Sequence, residues 1–192
     1  EMPLGDKIVN SFFQSVTLRT CGFASVNQGL LTNGSLLLCM LLMFIGASPA
    51  STGGGIKTTT AFAMVLQVIS VVKGRNDLEF AGRKLPVGTG RRAVAIIFIA
   101  AGLLILMVIG ICFAEMGRNI TTTEIVYESV SAFGTVGNSM GITASLTPVS
   151  KLILIFGMFC GRVGPITLAV AFAGKSGNEG GAHYPEEKVM VG

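Results

Sequence analysis

Long apolar runs separated by short polar segments make up most of this 192-residue chain. Residues 93–114 are an uncharged apolar run of 22 residues, which is enough helix to cross the hydrocarbon core of a bilayer. Residues 149–173 are a second long, mostly apolar run. Residues 6–18 and 123–133 are too short to cross, and the apolar positions of the first of them have helical spacing. The pattern therefore predicts membrane-spanning helices together with short helices that enter the bilayer and return.

Residues 35–72 are apolar over too great a length for one straight crossing. As a continuous helix they would extend about 57 Å, nearly twice the roughly 30 Å thickness of the hydrocarbon core. Pro49 and the three consecutive glycines at 53–55 are helix-breaking residues in the middle of this segment. We therefore predict two half helices that flank a flexible loop at residues 46–57, partway across the membrane.

The chain also contains an internal repeat. Thr20 and Gly22 recur as Thr135 and Gly137, each pair 115 positions apart. Repetition at a fixed offset indicates repeated structure, and each unit is predicted as a short helix, a glycine turn and an apolar helix. Around a common axis, such turns can line an ion pathway with backbone carbonyls. Six further residues recur at the same offset. In the first copy they are Leu31, Thr32, Ser35, Leu37, Met43 and Gly46, and in the second copy they are, in the same order, Leu146, Thr147, Ser150, Leu152, Met158 and Gly161.

Composition supports a membrane protein. The chain is 51% hydrophobic and 12% charged, with a mean hydropathy of +0.71, so a soluble globular domain is excluded as an interpretation. Residues 1–6 are slightly acidic and contain no short apolar run with a basic flank, so a signal peptide is not predicted here. Because residue 1 is Glu, we expect the natural start to lie upstream.

The net charge of +4 arises mainly from one polar segment, residues 73–92. Basic loops stay on the cytoplasmic side of membranes, so this segment is predicted to be cytoplasmic, and the tail at residues 174–192 with it. A lipid or partner site is the alternative interpretation of the segment, and nucleic-acid binding is not predicted. Its basic residues are Lys73, Arg75, Arg83, Lys84, Arg91 and Arg92.

Neither an enzyme nor a bound cofactor is predicted. His183 is the single histidine, and no nucleophile lies in a pattern that pairs it with a base. Gly55 and Lys57 are separated by Ile56, which departs from a phosphate-binding loop. The cysteines have neither metal-ligand nor disulfide spacing and are predicted to be packing residues: Cys21, Cys39, Cys112 and Cys160.

Four motifs follow one another at residues 19–23 (RTCGF), 46–58 (GASPASTGGGIKT), 131–139 (SAFGTVGNS) and 161–165 (GRVGP). Together they resemble the membrane subunit of the Trk/Ktr potassium transporter family, and the resemblance covers nearly the whole chain. It implies an all-α polytopic membrane protein built from helix, re-entrant pore helix and helix repeats of a potassium-channel-like pore.

The resemblance is to the C-terminal half of that subunit. Residues 1–72 correspond to a third repeat that lacks its first helix, with a pore helix at 6–18 and a filter at 19–23. Residues 93–173 correspond to a fourth repeat. Its parts are a span at 93–114, a pore helix at 123–133, a filter at 134–138 and a span at 149–173.

By this resemblance the two glycine turns are potassium filter segments, with K⁺ held at Gly22 and Gly137. The alternative for either residue alone is a plain helix-ending glycine. The family usually has Ala where Cys21 stands, a change that affects packing rather than ion choice because a filter presents backbone carbonyls. The predicted filter residues are Thr20, Cys21, Gly22, Thr135, Val136 and Gly137.

The loop and an arginine are predicted to form a gate. Arg162 is a charge inside an apolar span, which is costly unless it is paired or solvated. An arginine at the matching position faces the interrupted loop in the family, so Arg162 is expected to meet loop carbonyls below the filter. A structural arginine that ties two helices is the alternative. The predicted gate residues are Ala47, Ser48, Gly53, Gly54, Gly55 and Arg162.

Arg19 lies beside a predicted cation filter, where an unpaired positive charge would repel potassium. We hypothesise that Glu128 or Glu124 neutralises it, so that an ion pair supports the filter turns. The alternative places Arg19 at the external surface.

The resemblance implies potassium uptake across the plasma membrane by a multi-pass protein with a cytoplasmic C-terminus. Its implied partners are the lipid bilayer, the missing N-terminal half, a second copy in a homodimer and a cytosolic nucleotide-binding regulatory ring. Coupling to Na⁺ or H⁺ stays open. The alternative functions are a non-conducting membrane scaffold or assembly fragment, and a carrier for an organic solute.

Overall fold

A computed structural model describes residues 3–49, 51–74, 78–80, 82–86, 88–164 and 167. Its α-helices are α1 (Leu4–Thr17), α2 (Asn33–Phe44), α3 (Thr58–Val72), α4 (Thr89–Ala114), α5 (Thr122–Phe133) and α6 (Pro148–Val163). A 3₁₀ helix at Gln28–Leu30 and a hairpin of β1 (Glu79–Phe80) and β2 (Arg83–Lys84) complete the described elements. The protein is thus mostly helical, as predicted. The tail at 174–192 and most of 164–173 lie outside the described residues.

The internal repeat is also a repeat of local structure. Helices α2 and α6 begin 115 positions apart, at Asn33 and Pro148. The hydroxyl of Thr32 accepts a hydrogen bond from the Ser35 amide, and that of Thr147 accepts one from the Ser150 amide, both at 3.3 Å. Threonine is a favoured N-cap because its side chain satisfies a free amide of the first turn. The same capping residues therefore start the same helix in both copies.

The two copies diverge where these helices end. Helix α2 stops at Phe44 and α3 begins at Thr58, with an irregular loop between them. The Ile56 amide donates to the Phe44 carbonyl at 3.3 Å, which closes the base of the loop. Gly55 has a φ of +71°, a conformation that glycine adopts without steric cost. Helix α6, by contrast, continues without interruption to Val163.

Helix α4 is longer than the run predicted at 93–114. It starts at Thr89, directly after Gly88 in the left-handed region, so that Arg91 and Arg92 lie in its first turn. No proline lies between residues 89 and 93, and the single Gly90 is accommodated in the first turn, so the helical hydrogen bonding continues into the basic segment. Among the described helices, α4 alone is long and apolar enough to cross a membrane, with a mean hydropathy of 3.1.

The short helix α5 lies at the centre of the described core. Residues 127–133 are all buried, and Tyr127 and Phe133 are fully enclosed. This half of the helix is therefore enclosed on every face by the described fold. Helix α5 packs against α2, α4 and α6, so the residues at its ends are held by most of the fold.

Glu115 joins the end of α4 to the start of α6. Its buried carboxylate accepts hydrogen bonds from the Thr147 amide and hydroxyl, both at 2.8 Å, and from the Ser150 hydroxyl at 2.5 Å. Arg118 donates to its second oxygen at 2.9 Å. Burial by itself raises the pKa of Glu115, but these donors outweigh it and lower the pKa from 4.5 to about 2.

Glu115→Gln is expected to destabilise the full-length protein by about 1–3 kcal/mol at neutral pH. A carboxyl group whose pKa falls on folding stabilises above its unfolded pKa, and this stabilisation is lost as the pH falls through the folded value. The difference in melting temperature between wild type and variant should therefore shrink as the pH drops from 4.5 towards 2. Thermal unfolding in detergent across this range tests the prediction, with exposed Asp6→Asn as control. A difference that does not vary with pH would contradict it.

Candidate functional site

The glycine turns that follow α1 and α5 have the same unusual backbone. Thr20 and Gly22 have φ values of +68° and +75°, and Thr135 and Gly137 have values of +52° and +94°. Positive φ is rare for a β-branched residue such as threonine, yet it occurs at the equivalent position in both copies. Left-handed residues at alternate positions can turn successive carbonyls to one side, as carbonyl coordination of an ion requires.

The two turns are in direct backbone contact. A Cβ atom built on Gly22 would lie 2.5 Å from the Val136 carbonyl oxygen and 3.6 Å from the Gly137 Cα. No side chain larger than hydrogen fits there without a shift of the backbone. Val136 is buried whereas Cys21 is exposed. The predicted packing role is therefore wrong for Cys21, because its side chain lies on the open side of the turn.

The loop between α2 and α3 lies against the threonines of both turns. The Gly54 amide donates to Thr135 Oγ1 at 2.9 Å, and a Cβ on Gly54 would lie 2.4 Å from the same oxygen. A Cβ on Gly53 would lie 2.7 Å from Thr20 Oγ1. Two adjacent glycines thus allow the loop backbone to approach the start of each turn.

Hydrogen bonds hold the loop in this position. The Gly55 amide donates to the Gly161 carbonyl at 3.1 Å, and the Thr58 amide donates to the Ala47 carbonyl at 3.3 Å. Within the loop, the Ser48 carbonyl accepts from the Ser51 amide and hydroxyl. The loop is therefore tied to α6 as well as to its own ends.

Lys57 folds back onto the loop. Its Nζ donates to the Gly53 carbonyl at 2.5 Å and reaches the Ser51 carbonyl at 3.4 Å. Lys57 was not among the predicted site residues. One feature of the sequence could have indicated this role: Lys57 lies two positions after three consecutive glycines. The backbone carbonyls of glycines are not shielded by side chains, so a nearby cation can reach them.

Arg19 binds the loop and not an acidic residue. Its guanidinium donates to the Ile45 carbonyl at 2.5 Å and to the Gly46 carbonyl at 3.2 Å. These carbonyls are left free where α2 ends, so a cation that lies near them is satisfied without a carboxylate. The predicted pairing with Glu128 or Glu124 is wrong, because Glu124 caps α5 and Glu128 binds other donors.

Glu128 holds the segment that follows the second turn. Its buried carboxylate accepts hydrogen bonds from the Ser139 hydroxyl, from the Met140 amide at 3.1 Å and from the Thr143 hydroxyl at 3.1 Å. A buried carboxylate needs several donors to offset the loss of water. These three contacts supply them and tie residues 139–143 to α5.

Arg162 is exposed, and it forms neither a hydrogen bond nor an ion pair with any described residue. Its predicted contact with the loop carbonyls is therefore not found among the described residues. Its neighbour Gly161 makes the loop contact through the backbone instead. A Cβ on Gly161 would lie 1.8 Å from the Phe133 carbonyl oxygen, so α6 approaches α5 closely at this position.

Comparison with known proteins gives the family. The sequence profile of the TrkH family, described as a cation transport protein, matches residues 1–179. The chain belongs to the TrkH family. The predicted resemblance to Trk/Ktr membrane subunits is confirmed, and this TrkH-family chain is a membrane protein of a cation-transport family.

Three relatives show how much of a TrkH-family protein the chain represents. The potassium/sodium uptake protein NtpJ of Enterococcus hirae is 36% identical over 97% of this chain and 42% of its own length. The Ktr system potassium uptake protein B of Bacillus subtilis is 37% identical over 97% of the chain and 41% of its own length. The Ktr system potassium uptake protein B of Vibrio alginolyticus is 33% identical over 98% of the chain and 40% of its own length. The chain therefore spans about two fifths of these relatives.

A cavity of about 320 Å³ adjoins the second glycine turn of this TrkH-family chain. Asn138 lines it and is only 2% exposed, yet its Oδ1 and Nδ2 have no hydrogen-bond partner among the described residues. Buried amides are normally hydrogen-bonded. The other residues around the cavity are Glu128, Ser131, Ala132, Thr135, Gly137, Ser139, Thr143, Leu154 and Met158.

Proposed function

We propose that the full-length protein takes up potassium across the cell membrane through a pore to which this chain contributes two filter turns. The matching left-handed backbone at residues 20–22 and 135–137, with the two turns in contact, is the observation that carries the proposal. K⁺ would lose its hydration shell at Gly22 and Gly137, where backbone carbonyls replace water. Family membership in cation transport supports this function.

Two turns cannot surround an ion, so the proposed pore is pseudo-four-fold and includes the N-terminal half of the same protein. Two observations support this part of the proposal. Ile8, Val9 and Phe12 give α1 an exposed apolar face, and such a face needs a partner or lipid to cover it. Asn138 likewise needs a hydrogen-bond partner from outside the described residues or from water.

The working assembly that we propose is a homodimer in the plasma membrane, with its C-terminus and the basic segment at 73–92 in the cytoplasm. A cytosolic nucleotide-binding ring would act on this side, at the inner end of α3. The name of the Enterococcus hirae relative includes sodium, so Na⁺ is tested both as a competing and as a coupled ion.

Potassium-limited growth of a bacterium that lacks its own potassium uptake tests the function. The complete gene should restore growth, and it should restore uptake of a potassium isotope that excess Na⁺ does not abolish. Gly137→Asp, which adds a side chain to the filter turn, should not rescue. Absence of potassium uptake by correctly inserted wild-type protein would favour a scaffold. Uptake of an organic solute instead would favour a carrier.

We further propose that the loop at residues 46–57 is the gate. Gly53 and Gly54 lie against Thr20 and Thr135 at the start of the two turns. A loop at this position would stand in the path of an ion that leaves the filter towards the cytoplasm. The loop backbone is held by Lys57 and by the Gly161 carbonyl, so a pull on α3 would act directly on it. Arg162, one residue after Gly161, would add positive charge near the same path.

Lys57→Met is expected to raise unstimulated potassium uptake about tenfold, because it removes the charged hydrogen bonds that hold the closed loop. Methionine retains most of the length of the side chain, so packing changes little. Isotope uptake into proteoliposomes without the regulatory subunit measures the effect. Lys7→Met on the exposed part of α1 is the matched control. Unchanged or lower uptake by well-folded Lys57→Met protein would argue that the loop is a support and not a barrier.

A further inference from the structure

Two adjacent residues of α5 contact the segments that follow the two filter turns, residues 23–28 and 138–143, which we call the outer segments. The Tyr127 hydroxyl donates to Gln28 Oε1 at 3.0 Å, and the Glu128 carboxylate accepts from the Thr143 hydroxyl at 3.1 Å. Gln28 and Thr143 are 115 positions apart, and each lies six residues after the glycine of its own turn. One helix therefore holds equivalent positions of both copies of the repeat.

The contact on the first turn is part of a buried network. Gln28 is 1% exposed. Its Nε2 donates to the Val26 carbonyl at 2.8 Å, and the Gln14 amide of α1 donates to its Oε1 at 2.7 Å. Through Gln28, Tyr127 thus fixes the chain that leaves the first turn and the helix that enters it.

The contact on the second turn depends on one carboxylate. Glu128 is 6% exposed, and its donors are the Ser139 hydroxyl, the Met140 amide and the Thr143 hydroxyl. These donors all belong to the chain that leaves the second turn. Because a charge in a poorly solvated site strengthens such bonds, Glu128 restrains this segment firmly.

We propose that Tyr127 and Glu128 form a clamp that positions the two filter turns relative to each other and thereby sets the preference for potassium over sodium. This inference rests on the proposed potassium uptake. A filter discriminates by the placement of its carbonyls, and side chains that are locked by packing and hydrogen bonds hold such placement best. The clamp has two arms, the contact of Tyr127 with Gln28 and the contacts of Glu128 with the second outer segment. Residues 127–133 of α5 are all buried, so both arms start from the same rigid helix. Tyr127 and Glu128 are positioning residues in this scheme, since they hold outer segments and not the ion.

The test uses the full-length protein in liposomes and measures potassium and sodium fluxes separately. Glu128→Gln retains the shape of the side chain and removes its charge, and it should lower the ratio of potassium to sodium flux about tenfold. Glu124→Gln, on the same helix in the capping box, is the control and should leave the ratio unchanged. A purely structural role for Glu128 would lower both fluxes in proportion. An unchanged ratio in Glu128→Gln would overturn the clamp.

The second arm is tested independently. Tyr127→Phe should lower the same ratio about fivefold, whereas Ser129→Ala, which removes a buried hydroxyl that donates to the Ile125 carbonyl of the same helix, should not change it. Thr143→Val removes one donor to Glu128 and keeps the shape of the side chain, so it tests the carboxylate arm if Glu128→Gln fails to insert. An unchanged ratio in Tyr127→Phe and Thr143→Val would overturn the proposal. Wild-type protein that carries no potassium would instead refute the proposed function, and the clamp with it.

Discussion

Gly22→Ala is expected to lower potassium uptake by the full-length protein about a hundredfold, the combined effect of backbone strain and a steric clash. Gly22 has a φ of +75°, which alanine adopts at a cost, and the added Cβ would lie 2.5 Å from the Val136 carbonyl oxygen. Because that oxygen belongs to the opposing turn, the strain cannot be relieved without moving a carbonyl of the proposed filter. Isotope uptake, normalised to the amount of protein in the membrane, measures the loss.

Gly117→Ala separates the two causes. Gly117 has a similar φ of +86°, but a Cβ on this residue would meet nothing within 4 Å, and it is in the turn after α4. This control carries the strain without the clash and should lose only a little stability. If both variants lost uptake equally, the contact between the turns would not matter for conduction.

Gly161→Ala is expected to destabilise the protein by about 3 kcal/mol or more, since overpacking against backbone forces whole helices to shift. The added Cβ would lie 1.8 Å from the Phe133 carbonyl oxygen and 2.8 Å from its carbon. Phe133 is fully buried at the end of α5, so α6 must move instead. That movement would also pull the Gly161 carbonyl away from the Gly55 amide, and the loop would lose its tie to α6.

Thermal unfolding of purified full-length protein measures the effect of Gly161→Ala. The matched control is Gly102→Ala in α4, where a Cβ would meet nothing within 4 Å and should add about 0.5–1 kcal/mol of helix stability. Wild-type unfolding temperature in Gly161→Ala would show that the close approach of α6 to α5 is not maintained in the membrane.

The helical segments could be predicted because their signals are local. Apolar spacing and length indicated the short helices, and the structure has α1 at Leu4–Thr17 and α5 at Thr122–Phe133 where pore helices were predicted. Thr121 caps α5 in a capping box with Glu124, an arrangement that depends on residues only three positions apart. The break between α2 and α3 follows from proline and glycine in the same way.

The partners of the charged residues could not be predicted. Arg19 was expected to pair with a carboxylate, since opposite charge is the simplest expectation. In the structure it binds the free carbonyls at the end of α2. Lys57 binds the loop, whereas Arg162 has no bond to the loop within the described residues. Each outcome depends on which unsatisfied oxygen comes within reach after the helices pack, and sequence spacing carries no such distance.

What the sequence by itself determined is the repeated unit: a short helix, a turn that needs glycine, and a threonine-capped helix, each set by interactions within a few residues. Only the tertiary structure decided which residues of these units contact one another. It brought Gly22 against Val136, placed Gly54 against Thr135 and joined both outer segments to α5. The physical reason is that dihedral preferences and caps act over one helical turn, whereas contacts between residues far apart in the sequence exist only once the core has packed.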